Sequence, residues 1–149
     1  MAVASGLYYV TFAGMLSNSL ALNLNVNTHY IGLVNDTHTP DFDTDNDWAD
    51  IDNEVYDSTN WPTGGVVLYT AQTPDLSVSS GTLLWDAENV SVASTTLSNA
   101  EAAVIYAAGL ANELICMVDF GSPYSTTNGT FAITWSTSPD AVFSIDLTP

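Results

Sequence analysis

The chain has 149 residues, among them 17 aspartates and glutamates, two histidines and no lysine or arginine, for a formal charge of −17. Its 46% hydrophobic content is too high for global disorder, and its length suits one domain with a real core. Without Lys or Arg it has nothing to contact phosphates or an anionic lipid surface, so nucleic acid and membrane are excluded as partners, and every carboxylate must find counter-charge in water, bound cations or another protein's basic face.

Residues 1–18 show no clean period. Tyr8, Tyr9, Phe12 and Met15 are too apolar for a free tail. Two readings stand open: an arm packed on a neighbouring subunit, with Tyr8, Tyr9 and Phe12 as contacts, or a first strand of the same domain. Residues 19–149 read as one β-rich domain. No apolar run reaches the roughly 18 residues of a membrane helix, and no basic n-region marks a secretory leader, so no export or anchoring segment is expected. Leu20, Leu22, Leu24 and Val26 alternate with Ala21, Asn23 and Asn25, the period of a half-buried strand. Tyr30 to Val34 reads as a second.

Nine acids then fall within residues 36–57. Asp41, Asp43, Asp45 and Asp47 alternate, and Asp52 stands eleven residues after Asp41. That is close to the ligand spacing of a calcium loop. The sixth position is Asn46 instead of Gly, and the twelfth is a short Asp instead of a bidentate Glu. An all-oxygen donor set suits Ca²⁺ or Mg²⁺ over zinc. The competing reading is a solvated acidic loop holding counter-ions diffusely. Trp48, Ile51 and Val55 recur at helical spacing, which predicts two amphipathic turns over Asp47 to Val55. Trp48 and, beyond it, Trp61 are further candidate partner contacts.

After the breaker cluster Trp61-Pro62-Thr63-Gly64-Gly65, strand-like segments recur at short intervals. They are Val66 to Tyr69, Thr82 to Trp85, Val90 to Ala93, Ala103 to Ala107, Leu114 to Phe120, Thr130 to Trp135 and Val142 to Leu147. Turn residues separate them. The spacing predicts a mainly β fold, an antiparallel β-sandwich or jelly-roll-like barrel with one short helix and an acidic loop. Asn128-Gly129 before Thr130 is the strongest hairpin signal. The Ala-rich stretch Leu97 to Ala108 is open between strand and helix. Cys116 is alone inside the apolar run Leu114 to Val118, so no intrachain disulfide forms and a buried, inert thiol is expected.

Motifs of catalysis are missing. His29 and His38 lack the spacing of a helical metal pair, and no nucleophile elbow, phosphate loop or dinucleotide fingerprint occurs. No enzyme is expected and no catalytic or cofactor-binding residue is assigned. The four tryptophans, Trp48, Trp61, Trp85 and Trp135, offer one alternative: an aromatic cleft for sugars, working as a Ca-dependent carbohydrate-binding module. Their other reading is core or interface.

A string of segments carries a resemblance over about two-thirds of the chain. In order they are Tyr30-Ile31-Gly32-Leu33-Val34, Asn53-Glu54-Val55, Trp61-Pro62-Thr63-Gly64-Gly65-Val66-Val67-Leu68, Trp85-Asp86-Ala87-Glu88-Asn89-Val90, Thr95-Thr96-Leu97, Ala103-Val104-Ile105-Tyr106, Met117-Val118-Asp119-Phe120-Gly121 and Asn128 to Trp135. Together they resemble a widespread family of small tailed-bacteriophage virion structural proteins. The landmarks look like turn and core positions and include no catalytic motif. Where such proteins carry a basic residue near Asn99-Ala100-Glu101, this chain has none, which removes any contact made through it. The resemblance implies a β-rich particle component. A capsid decoration (cement) protein on the outer surface of the head is expected, docked on the major capsid protein shell as a homo-oligomer, with a trimer favoured. A tail, fibre or collar component is the alternative address. Negative subunits are steered onto positive patches, and symmetric sites recruit symmetric oligomers.

Overall fold

The structure is a computed structural model that describes residues 3–26, 28–137 and 140–148. Its elements are β1 (Gly6–Leu7), α1 (Tyr9–Leu16), β2 (His29–Val34), a 3₁₀ turn (Trp48–Asp50), β3 (Glu54–Val55), β4 (Val66–Val67), β5 (Asp75–Ser79) and β6 (Thr82–Asp86). There follow β7 (Val90–Thr95), β8 (Ala100–Ala107), β9 (Glu113–Tyr124), β10 (Gly129–Ile133), β11 (Ser136–Thr137), β12 (Asp140–Ala141) and β13 (Phe143–Asp146). The fold is mainly β and sandwich-like, with antiparallel pairing throughout. Among the described residues no helix is long and apolar enough to cross a membrane.

The main sheet has the order β1-β9-β8-β2-β3, with β4 also paired to β2. Smaller sheets β10-β7, β13-β6-β5 and β11-β12 make up the rest. β2 and β8 are nearly continuous apolar runs because the main sheet is covered on both faces. Ile31, Leu33, Ala103 and Ile105 face one core, shared with Trp61, Trp85, Phe131, Ile133 and Trp135 from the other strands and loops. Val34, Ala102, Val104 and Tyr106 face a second core, roofed by Phe42, Trp48 and Ile51 from the acidic region.

Two glycines make that roof possible. A Cβ on Gly32 would lie 2.1 Å from the Trp48 ring, and one on Gly6 would lie 2.7 Å from the Phe42 ring. Each glycine leaves a hollow that an aromatic of the acidic loop fills. Backbone bonds complete the attachment: Tyr9 N donates to Phe42 O (2.8 Å), Trp48 N to Asn112 O (3.0 Å) and Leu114 N to Asn46 O (2.9 Å). The most charged segment is thus laid across the main sheet like a cover.

Several expected elements differ. The predicted strand from Leu20 to Val26 is turn and coil. Leu22 and Leu24 are buried as the alternation requires, but Asn23 Oδ1 accepts from Asn25 N (3.0 Å) and Leu24 O accepts from Trp85 Nε1 (3.1 Å). Side-chain amides compete with a ladder here and win. The two helical turns expected over Asp47 to Val55 shrink to the single 3₁₀ turn, closed by a capping box between Asp47 and Asp50. Asn53 at φ 56° then turns the chain into β3. The one α-helix among the described residues is α1, in a stretch with no clean period. The Ala-rich stretch is strand β8, since the centre of a sheet admits small side chains closely packed on both faces. Asn128-Gly129 does turn the chain, but β10 pairs with β7 and not with the preceding strand.

Candidate interaction surface

The carboxylates show how a chain without cations satisfies its acids: they accept backbone N–H groups. Asp41 Oδ1 accepts from Asp43 N (3.1 Å), Asp45 Oδ2 from Asp41 N (2.8 Å), and Asp47 Oδ1 from Ala49 N (2.7 Å). Asp57 takes Thr59 N (2.8 Å) and Thr96 N (2.6 Å), while Glu88 Oε2 takes Thr70 N (2.7 Å) and Ala71 N (2.9 Å). These bonds hold the Asp57 and Glu88 carboxyls below the usual range, because they favour the charged form.

Asp52 is held differently. Its Oδ1 lies 2.5 Å from Nδ1 of His38, an ion pair whenever the imidazole is protonated. The ring's hydrogen bond lowers the Asp52 pKa. Asp41, Asp43, Asp45, Asp47 and Asp52 are not gathered as the expected calcium site requires: Asp52 is turned to His38, Asp41, Asp45 and Asp47 accept from nearby backbone N–H groups, and Asp43 is exposed. Among the described residues no group of three or more His, Cys, Asp or Glu converges to hold a metal ion. Local capping engages Asp41, Asp45 and Asp47 where they stand, and the spacing of a ligand loop appears without its convergence.

The expected partner contacts divide. Tyr8 and Trp61 are fully buried, so neither is at a surface; Tyr8 lies beneath Phe42 and Trp61 packs edge-on to Phe131. Trp48 is half-buried, stacked 4.7 Å from Tyr106. Phe12 is half-buried against Phe143. Tyr9 remains, 56% exposed. The tryptophan cleft is also overturned, because Trp61, Trp85 and Trp135 are core residues. Packing claims large apolar rings before any ligand can.

What the structure adds is a surface around Tyr9. Tyr9, Ala13 and Leu16 lie along one stripe of α1, all exposed, with Leu16 89% exposed. No acid occurs in the first 35 residues, so this stripe is uncharged. Yet Tyr9 touches Phe42, whose neighbours in sequence are Asp41 and Asp43, and the acidic cover begins at the stripe's edge. An apolar centre with a charged rim is the anatomy of a protein-protein contact. The sequence signal was there in Tyr-Val-Thr-Phe-Ala-Gly-Met-Leu, eight residues without a charge. It was hidden because a helix apolar on every side has no amphipathic period.

Four other titratable groups face inward. Both histidines are buried, His29 against the Trp85 ring at 5.2 Å. Burial raises the Cys116 thiol well above its ordinary range, leaving little thiolate. Tyr106 is pushed up to about 12, mainly by burial, while its hydroxyl donates to Gly64 O at 2.6 Å. No family model, curated protein or solved structure matches the chain.

Proposed function

We propose that the protein is a structural component of a tailed-phage virion, a decoration protein that docks on the outer face of the capsid shell and works by binding without turnover. One observation carries the reading: an apolar stripe on α1 beside an acidic cover, in a chain that has no cation of its own. Such a surface is complementary to an apolar patch rimmed by Lys and Arg, as a shell of many identical subunits would present in repeated copies. The burial of both histidines supports binding over catalysis, since neither is placed to take a proton from a substrate. Three copies around a local three-fold position fit the symmetry of such a shell.

Averaged images of the purified particle test this. Density fitting this fold at regular sites on the head is the expected result. Density on the tail or collar would move the address and keep the class. Absence of the chain from particles, checked by mass spectrometry, would end the proposal.

A further inference from the structure

Strand β10 is hydrogen-bonded to β7 alone among the described residues, so its second edge is unpaired. That edge borders a groove of about 570 Å³ whose opposite wall is the end of β9 and the turn after it. Phe120, Tyr124 and Phe131 supply an aromatic hollow, with Phe120 6.1 Å from Tyr124 and 6.2 Å from Phe131. Tyr124 is 53% exposed. Thr130, Ala132 and Thr134 line the outer part and point to solvent.

The edge is held open by its own turn. Thr126 N donates to Leu97 O (2.9 Å), Leu97 N to Thr126 Oγ1 (3.1 Å) and Asn128 N to Thr96 Oγ1 (3.1 Å). Thr95 and Thr126 hydroxyls meet at 2.8 Å. These bonds fasten residues 126–128 to residues 95–97, so β10 cannot fold back onto β9. Natural edge strands are blunted by lysine, proline or an inward charge. β10 reads Gly-Thr-Phe-Ala-Ile and carries none of them.

We propose that this edge takes up an extended, Lys- or Arg-bearing segment of a partner protein, which adds to β10 as a further strand and seats an apolar side chain in the Phe120–Tyr124–Phe131 hollow. Main-chain bonds give such strand addition its affinity, and alternate side chains give it specificity. Charge decides the occupant. Two copies of this chain would each bring −17 with no cation to offset it. Asp119 stands beside Phe120, and Glu101 lies in β8 between the partners of Asp119 and Tyr124. A basic strand is attracted here and a second copy is repelled. The inference does not rest on the virion reading.

The test uses the whole protein and three N-acetylated octapeptides followed by amide NMR: alternating Lys and Val, alternating Glu and Val, and the Lys-Val peptide N-methylated at alternate amides. The Lys-Val peptide is expected to shift amides across residues 129–134 and near Tyr124. Replacing Lys by Glu, or N-methylation, should each weaken binding by about tenfold or more. Tyr124→Ala should weaken it several-fold with an unchanged melting curve, and Val78→Ser on β5 should leave it unaltered. Equal binding of the N-methylated peptide, shifts confined to residues 36–57, or no binding at about 1 mM would overturn the proposal. So would a dimer in sedimentation whose β10 amides are already protected from exchange.

Discussion

Gly32 shows how one missing methyl group organises a surface. The Trp48 ring occupies the space of its Cβ and stacks on Tyr106, so Gly32→Ala must displace the indole. A cost of about 1–3 kcal/mol is expected, as for other overpacked sites. Trp48 emission should move to the red, read as the difference from a Gly32→Ala, Trp48→Phe double variant. Unshifted emission would mean the ring was not seated there. His29 poses a different problem, since both ring nitrogens are buried without a hydrogen-bond partner. Burial lowers its pKa from 6.5 to about 4, so the unfolded chain binds a proton that the folded protein refuses. Its effect on stability is therefore least above pH 6.5 and most damaging as pH falls towards 4. At about pH 5 the expected loss is about 2 kcal/mol relative to neutral pH. Urea unfolding of the wild type and His29→Leu at both pH values isolates it. Half-buried Glu54 and Glu113, whose pKa values are raised, act in the opposite sense but cancel between the two proteins. Equal pH sensitivity in both would refute the assignment.

Among elements, α1 is the least secured by its own sequence. It has no side-chain cap and no charge at either end, and Thr11 is its only fully buried residue. Thr11 Oγ1 donates to Leu114 O at 2.5 Å, which ties the helix to β9. Thr11→Val keeps the shape and leaves that carbonyl short of a donor, so a loss of about 1–2 kcal/mol in urea unfolding is expected. A neutral result would place the helix's stability in apolar contacts alone. The acidic cover leads to the opposite expectation about ions. Because its carboxylates do not converge among the described residues, Ca²⁺ and Mg²⁺ at equal concentration should raise the melting temperature equally. A markedly larger shift with Ca²⁺ would reveal a gathered site.

At the scale of the molecule, charge of one sign works against compaction. Self-repulsion in a −17 chain is relieved by salt, and only the His38–Asp52 pair offers internal compensation among the described residues. The free protein should therefore melt at a higher temperature in about 1 M NaCl than in about 10 mM. Attachment to a basic partner should weaken over the same range, since the same ions screen it. A melting point that falls with salt would contradict the first expectation.

Composition alone decided the sign of the field, the want of internal Lys and Arg pairs, and the β class; short β-prone segments between turn residues located strands at Tyr30 to Val34, at Thr82 to Trp85 and over most of Thr130 to Trp135, whereas the alternation of Leu20 to Val26 marked no strand. Those properties are local or additive, so a linear reading reaches them. It did not reach α1, whose uncharged, mostly apolar composition has no helical period. Nor did it reach the fate of Tyr8 and Trp61, because an aromatic's burial depends on what folds over it. The aspartates of residues 41–52 had the spacing of ligands, yet whether five carboxylates meet or stay apart is a matter of where the backbone goes. The backbone there follows Phe42 and Trp48 into hollows opened by Gly6 and Gly32, residues distant in sequence. Only the tertiary structure could join them, because packing couples positions that no period connects.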